Sequence, residues 1–344
     1  MLTELEITGF RCFPKLSAKP LGRVNLIVGK NNSGKTAFLD AVELLAWDSD
    51  SPPIFRSLVR REEYSRKVVE QGRGVLFNRY DLDVPNLFYG HSVTLDSSFA
   101  IRSNSRSVGV RCAREDGILT VPTLLIEAAG RLSQFDLNSG YLRRVETTGR
   151  LEDLFTRSRT EVLFLPTWRS DLTFLSKLWD EVLLTDDEPL VVEALRLIEP
   201  RVEKVAVRGD AEDRHFAIRL KGDKQPQRLG TLGDGMRHIL AIALHLVPAQ
   251  KGYLLIDEID SGLHFSVMAK MWRMVLETAR RLDIQVFATT HSMDCIHALA
   301  EVHQQQRLTP DDLMLHRLEP ELGKTISYTP DDLAAVAEFQ GEVR

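Results

Sequence analysis

The chain has 344 residues, of which 43% are apolar and 27% charged, a composition that is ordinary for a globular protein of about two domains. No apolar run approaches the roughly 20 residues needed to cross a bilayer, so we expect a cytoplasmic protein without membrane contact. The whole net charge of −5 arises within residues 309–344, so the preceding residues carry equal numbers of acidic and basic side chains.

The N-terminal segment predicts two strands and a helix. Residues 2–8 alternate between apolar and polar side chains, which is the period of a half-buried strand. The apolar run Val24–Val28 predicts a second strand, and a helix follows through Ala37–Leu45 to about Trp47. Turn formers and prolines end that helix within 48–53.

A glycine-rich loop, Gly29-Lys30-Asn31-Asn32-Ser33-Gly34-Lys35-Thr36, joins the second strand to the helix. Backbone N–H groups of such a loop turn inward on nucleotide phosphates, and the positive end of the helix adds to their field. Lys35 is then placed to reach the β- and γ-phosphates, and the Thr36 hydroxyl to ligate Mg²⁺. The alternative is a helix-capping turn with no ligand, which the correct flanking elements make the weaker interpretation.

Residues 51–160 follow a different pattern, and we predict an inserted lobe there. Leu58–Gln71 has the composition of a charged helix, and the short apolar stretches after it predict antiparallel strands. Arginines gather in this segment at positions 56, 60, 61, 66, 143, 144, 150, 157 and 159. Such clusters are suited to the phosphates of double-stranded DNA, although solvated surface arginine is the commoner explanation.

The segment from 161 to 247 predicts a return to the main sheet. Residues 161–166 predict a buried strand, 180–198 a helix, and 202–220 a hairpin. The sequence Leu232-Gly233-Asp234-Gly235-Met236-Arg237 then precedes an apolar helix over 239–247.

Acidic residues and a histidine end the next two buried strands. Asp257 and Glu258 follow Tyr253-Leu254-Leu255-Ile256, where a strand buried on both faces has no structural need for adjacent carboxylates. In a nucleotide site, Asp257 would hold Mg²⁺ and Glu258 would deprotonate the attacking water. His291 follows the strand predicted at 284–290, at the position where an imidazole can sense a γ-phosphate.

Four segments in this order, GKNNSGKT, LGDGMRH, YLLIDEIDSGLH and ATTHS, resemble the ABC-type ATPases of the RecF, SMC and OLD group. The chain looks most like the compact OLD-like AAA-family ATPases. The resemblance covers roughly 1–47 and 161–330, and it implies an α/β P-loop NTPase whose mixed central sheet has helices on both faces. The implied division is an N-terminal ATPase part at 1–50, an inserted β-rich and helical lobe at 51–160, and a C-terminal ATPase part at 161–344.

The resemblance also assigns roles by position. Gly29, Asn31, Asn32, Ser33, Gly34, Lys35 and Thr36 resemble the Walker A loop, Asp257 and Glu258 the Walker B pair, and His291 the switch histidine. Asp260–His264 resembles the D-loop, and Arg11 resembles an arginine that contacts the nucleotide. Gly233, Asp234 and Gly235 occupy the signature position, where the family has Leu-Ser-Gly-Gly-Gln. Here a glycine replaces the serine, and a carboxylate replaces a glycine.

The resemblance implies ATP and Mg²⁺ as ligands and dimerisation around ATP, as a homodimer or higher oligomer. One hypothesis is an ATPase that acts in DNA maintenance or anti-phage defence. The alternative is an ATP-gated scaffold or sensor that controls an effector protein, a nuclease or toxin, encoded nearby. A transporter subunit agrees less well with the long segment between the Walker A helix and the next sheet strand. Nothing after the switch strand resembles a Toprim nuclease, so we expect no nuclease activity within these residues.

Overall fold

The computed structural model of the chain describes residues 1–46, 54–71, 75–114, 121–138, 140–147, 151, 162–167, 172–210 and 214–338. Within these ranges, none of the helices combines the length and apolarity required to cross a bilayer.

The first half of the chain is mostly strand. Its elements are β1 (Leu5–Phe10), β2 (Phe13–Ala18), β3 (Val24–Val28), α1 (Lys35–Ala46), α2 (Ile54–Arg60), β4 (Tyr64–Gln71), β5 (Val75–Asp83), β6 (Ser98–Arg102), β7 (Ser107–Arg114), β8 (Pro122–Ala128), β9 (Arg131–Asp136) and β10 (Leu142–Thr147).

The second half alternates strands with helices. Its elements are β11 (Val162–Leu165), α3 (Leu172–Val182), α4 (Glu188–Arg196), β12 (Val202–Arg208), β13 (His215–Leu220), β14 (Gln227–Arg228), α5 (Asp234–Leu246), β15 (Tyr253–Ile256), α6 (Phe265–Arg281), β16 (Gln285–Thr289), α7 (Met293–Gln306), β17 (Leu313–Glu319), β18 (Lys324–Tyr328) and α8 (Pro330–Glu338).

A 12-stranded mixed sheet organises the fold, in the order β11-β15-β16-β3-β17-β18-β2-β1-β6-β7-β8-β9. Five neighbouring strands of this sheet, β11, β15, β16, β3 and β17, are parallel, so their carboxyl ends meet at one edge. The glycine loop follows β3, the acidic pair follows β15, and His291 comes just after β16. Strand order therefore brings to one edge three segments that are far apart in sequence.

Helices cover both faces of the parallel part of the sheet. Leu254 and Ile256 of β15 belong to a core that includes Leu240 of α5 and Trp272 of α6. The intervening Leu255 packs into a second core with residues of α1. Because successive strand residues point to opposite faces, the all-apolar strand requires cover on both sides. The predicted α/β class with a mixed sheet and helices on both faces is confirmed.

The segment predicted as an inserted lobe divides between two sheets. Strands β4, β5 and β10 form a separate antiparallel sheet, whereas β6 to β9 extend the central sheet beyond β1. The helix predicted over Leu58–Gln71 is wrong, because α2 ends at Arg60 and β4 pairs with β5 along its whole length. Val68 and Val69 are β-branched and suit a strand, and pairing with β5 overrides the helical charge pattern.

A buried group of ions anchors α1, the helix that begins at the glycine loop. Asp40 is fully buried, and its carboxylate lies 2.8 Å from Arg60 Nη2 and 2.9 Å from Arg61 Nη2. Glu43, one turn later, accepts a 2.6 Å hydrogen bond from Arg60. The Arg60 guanidinium also lies 3.6 Å from the centre of the Phe164 ring on β11. These contacts tie α1 to α2 and to the edge strand of the sheet.

Candidate nucleotide-binding site

The glycine loop folds as a cradle between β3 and α1. Gly29 has φ +150° and Gly34 has φ +95°, conformations that side chains disfavour. A Cβ on Gly29 would lie 2.7 Å from Ser33 Oγ, and a Cβ on Gly34 would lie 2.5 Å from Cys12 Sγ. Among the described residues, the buried Ser33 Oγ has no hydrogen-bond partner. A tight loop with an unpaired hydroxyl is suited to a ligand rich in acceptor oxygens, such as a phosphate.

The first turn of α1 adds donors to this cradle. The Phe38 N–H bonds to the Gly34 carbonyl at 2.8 Å, so the helix starts directly at the loop. N–H groups of a first helical turn have no acceptor within the helix, and they carry the positive end of its dipole.

Lys35 is folded over the loop. Its Nζ donates to the carbonyls of Gly29 and Lys30, each at 3.0 Å. Burial lowers the pKa of Lys35 below its ordinary value, whereas Asp257 and Glu258 act in the opposite direction. The ammonium group therefore lies where phosphate oxygens could replace the two carbonyls.

Asn31 and Asn32 lie at the exposed tip of the loop, and Asn32 has φ +61°. Their exposure leaves the loop tip open to a ligand.

Thr36 and Asp257 form the predicted metal-binding pair. The Thr36 hydroxyl donates to Asp257 Oδ2 at 3.0 Å, across 221 residues of sequence. Mg²⁺ prefers oxygen ligands and is commonly held by one or two protein groups together with substrate phosphates, so this donor set fits it. Among the described residues, no group of three or more His, Cys, Asp and Glu side chains could hold a metal by itself.

Thr289, the last residue of β16, contacts both acidic residues. Its hydroxyl donates to Asp257 Oδ1 at 2.7 Å and accepts the Glu258 N–H at 2.8 Å. The next residue, Thr290, donates to Asp260 Oδ1 at 2.5 Å. The sequence motifs assign no role to these threonines. The signal that could have identified them is a pair of hydroxyls at the end of a buried strand, directly before His291.

Glu258 and His291 face each other at the mouth of the site. Glu258 Oε1 lies 3.9 Å from His291 Nε2, and the side chains are 41% and 38% exposed. Burial lowers the pKa of His291, and the positive charge of Lys35 lowers it further. The imidazole is therefore neutral near pH 7, when it still offers one N–H donor.

The segment predicted as the signature lies against the segment predicted as the D-loop of the same chain. Gly233 caps α5 with φ +92°, and no side chain caps the helix there. A Cβ on Gly235 would lie 2.9 Å from the Gly262 carbonyl, so only glycine permits this approach. His238 Nε2 is 2.9 Å from the Ile259 carbonyl and adds a second link. Gly233 and Asp234 are exposed, so the start of α5 is open to another molecule.

Arg11 lies in the tight turn between β1 and β2, with its guanidinium buried. It donates to Glu63 Oε1 at 3.0 Å and to Ser57 Oγ at 3.0 Å, and its Nε lies 3.1 Å from Asp40. Contact between Arg11 and a nucleotide would require these interactions to rearrange. In this structure, Arg11 instead links the turn to α1 and α2.

Comparison with known proteins identifies the kind of domain that contains this site. A family model described as "AAA domain, putative AbiEii toxin, Type IV TA system" matches residues 24–294. An ATP/GTP phosphatase of Helicobacter pylori is 20% identical over 343 residues, covering 89% of each chain. An uncharacterised protein of Methanocaldococcus jannaschii is 36% identical over 70 residues, covering 20% of this chain and 61% of that protein.

Solved structures similar to the chain include two SMC head domains. The head domain from Thermotoga maritima has a TM-score of 0.44 and 15% identity, covering 95% of this chain and 98% of that one. The head domain bound to a ScpA domain derived from Pyrococcus furiosus has a TM-score of 0.48 and 11% identity, covering 98% and 99%.

Proposed function

Because the chain belongs to the family of AAA domains described as putative AbiEii toxins of type IV TA systems, we propose that it binds ATP with Mg²⁺ and hydrolyses it to ADP and phosphate as an ABC-type ATPase. The observation that carries the proposal is the 3.0 Å contact between Thr36 of the glycine loop and Asp257 after β15. The H. pylori relative, named an ATP/GTP phosphatase, supports the same reaction.

Each residue at this edge has a chemical task in the proposed reaction. The glycine-loop N–H groups and the Lys35 ammonium bind the phosphates and offset their charge. Thr36 and Asp257 would hold Mg²⁺, which when bound neutralises charge on the β- and γ-phosphate oxygens.

Glu258 and His291 act on the water and the transferred group. The Glu258 carboxylate orients the attacking water and accepts its proton, as a general base must from within hydrogen-bond reach. The neutral His291 ring donates its N–H to a γ-phosphate oxygen. Their separation of 3.9 Å supports a shared role at one reacting centre.

Phosphate release by the purified chain tests this proposal. Wild-type protein should release phosphate from ATP only when Mg²⁺ is present. Lys35→Ala should abolish nucleotide binding, whereas Lys177→Ala, which changes an exposed lysine on α3, should leave binding and turnover unchanged. Equal turnover in the two variants would remove the glycine loop from the proposed site.

We further propose that two chains close around ATP. The exposed, uncapped start of α5 supports this, because its first N–H groups are free to meet a phosphate held by another copy. The Asp234 carboxylate opposes such a contact, since it places negative charge at the same helix end.

For the biological role, we propose DNA maintenance or anti-phage defence, and as the alternative an ATP-gated scaffold that controls a separate effector. Two arginines at the end of α2 favour the alternative, because Arg60 and the residue after the helix, Arg61, are paired with Asp40 and are not free for DNA phosphates. Arg144 likewise pairs with Asp81. Arg150, Arg157 and Arg159 lie outside the described residues.

DNA binding and co-purification separate the two roles. A DNA-acting ATPase should bind duplex DNA with an affinity that falls steeply with salt, and DNA should stimulate its turnover. A scaffold should show neither effect and should co-purify with the product of an adjacent gene. DNA-stimulated turnover in a chain that binds no neighbouring gene product would reject the scaffold role.

A further inference from the structure

We propose that Thr289 is a positioning residue for ATP hydrolysis, holding both the metal-binding Asp257 and the general base Glu258 through a single hydroxyl. This inference rests on the proposed ATPase function and adds to it a residue that does not touch the substrate. It follows from three hydrogen bonds made by Thr289 at the end of β16, together with the bonds that Thr36 and Ser261 make to the two acidic residues.

The Thr289 hydroxyl is fully buried and uses both its donor and an acceptor lone pair. It donates to Asp257 Oδ1 at 2.7 Å while Thr36 donates to Oδ2 of the same carboxylate at 3.0 Å. With one hydroxyl on each oxygen, the Asp257 carboxylate is held in a single orientation. Oδ2 is thereby presented toward the glycine loop, where the phosphates are expected.

Thr289 also fixes the backbone on both sides of Glu258. Its hydroxyl accepts the Glu258 N–H at 2.8 Å, and its carbonyl accepts the Ile259 N–H at 3.0 Å. Glu258 has φ +53°, a left-handed conformation that a residue with a side chain adopts only when its surroundings enforce it. A Ser261 N–H at 2.9 Å from the Glu258 carbonyl completes the turn.

The hydroxyl therefore carries a function that shape alone does not supply. A valine at position 289 would keep the volume and the carbonyl bond to Ile259. It would leave the Glu258 N–H without its acceptor and Asp257 Oδ1 without its donor, so the Asp257 carboxylate could rotate. Both the metal-binding carboxylate and the direction of the Glu258 side chain would then lose their fixed geometry.

The test compares Thr289→Val with Thr289→Ser, which restores the hydroxyl, and with Thr123→Val, a matched change at a buried threonine on β8. Calorimetry measures ATP affinity in Mg²⁺ and in excess EDTA, using Glu258→Gln as the background so that ATP persists. Steady-state phosphate release, measured in the chain that keeps the natural Glu258, gives kcat and KM for the same three substitutions.

Thr289→Val should lower kcat by about 10- to 100-fold, the range typical of residues that orient a metal ligand. The gain in ATP affinity on adding Mg²⁺ should fall by about 10-fold, while the affinity in EDTA stays within about 3-fold of the parent protein. Thr289→Ser and Thr123→Val should match the parent protein in both measurements.

Equal behaviour of Thr289→Val and Thr289→Ser would overturn the inference, as would an equal loss of affinity with and without Mg²⁺. If Thr289→Val does not fold, Thr289→Ala replaces it in the same comparison. Failure of the ATPase proposal is recognised separately, because wild-type protein would then release no phosphate. The gain in ATP affinity on adding Mg²⁺, measured by calorimetry, would still report whether Thr289 orients the metal-binding carboxylate.

Discussion

Removing the charge of Asp40 should destabilise the fold far more than removing an exposed carboxylate. Asp40 is fully buried and lies within 3.1 Å of the guanidinium groups of Arg11, Arg60 and Arg61. Asp40→Asn preserves the shape of the side chain but leaves those cations without its negative charge. Breaking a buried ion pair from one side typically costs about 3–5 kcal/mol.

The structure places the expected loss at the lower end of that range. Arg11 keeps Glu63 at 3.0 Å and Arg60 keeps Glu43 at 2.6 Å, so two of the three cations retain a carboxylate. Arg61 is 29% exposed and is partly compensated by water. We therefore expect a loss of about 3 kcal/mol, which lowers the Tm by roughly 6 °C at about 2 °C per kcal/mol for a large domain.

Thermal and urea unfolding measure this loss, with Asp283→Asn as the control. Asp283 forms a 2.8 Å pair with Arg23 but is 68% exposed, and exposed pairs contribute about 1 kcal/mol or less. A loss below about 1 kcal/mol for Asp40→Asn, or equal losses for the two variants, would show that the buried arginines do not depend on the charge of Asp40.

The pH dependence of stability is a second test of the ion pairs that Asp40 forms. Burial by itself raises the pKa of Asp40, but the charges of Arg11, Arg61 and Arg60 together outweigh it and hold the pKa below its ordinary value. Stabilisation from a depressed carboxyl pKa is complete above the unfolded-state pKa and is lost as pH falls through the folded-state pKa. The stability difference between wild type and Asp40→Asn should be constant near neutral pH and narrow below about pH 4. A difference that stays constant into strong acid would contradict this assignment.

Three further predictions concern the nucleotide site. Gly34→Ala should abolish nucleotide binding because its Cβ would lie 2.5 Å from Cys12 Sγ at a φ of +95°; binding of a fluorescent ATP analogue checks this. Gly235→Ala should spare nucleotide binding but weaken ATP-dependent dimerisation, since its Cβ would lie 2.9 Å from the Gly262 carbonyl. Light scattering with ATP measures the dimer, and an unchanged dimer would exclude the predicted signature segment from the contact between chains. His291→Ala should lower turnover by about 100-fold, the usual cost of removing one donor to a developing charge. Because burial and then Lys35 lower the pKa of His291 in the free chain, kcat/KM should not titrate with this group above pH 7, and a change in kcat/KM near pH 7.5 that His291→Ala removes would contradict it.

The sequence was most informative about the polar residues that directly follow buried strands. Val24–Val28 leading into glycines, and Leu254–Ile256 leading into Asp257, each predict a strand end with polar residues. Parallel strands bring such ends to one edge, and the 3.0 Å contact of Thr36 with Asp257 is the result. These features depend on local pattern and strand direction, which a single sequence contains.

The features that sequence reasoning missed depend on tertiary neighbours. The charge pattern of 58–71 suggested a helix, but pairing with β5 makes most of it a strand. No sequence pattern marks Asp40, because its arginine partners come from α2, from the residue after that helix and from the β1–β2 turn. Thr289 gains its importance only because β15 lies beside β16 and ends in two acidic residues. Contacts between segments that are distant in sequence decide each of these cases.

Glu258→Gln tests the central claim most directly, by measuring turnover and particle mass in the same sample with ATP and Mg²⁺. We expect that the variant binds ATP, loses at least about 100-fold in turnover, and persists as a dimer of twice the 39.0 kDa chain mass. Wild-type turnover in a variant that remains a single chain would contradict it.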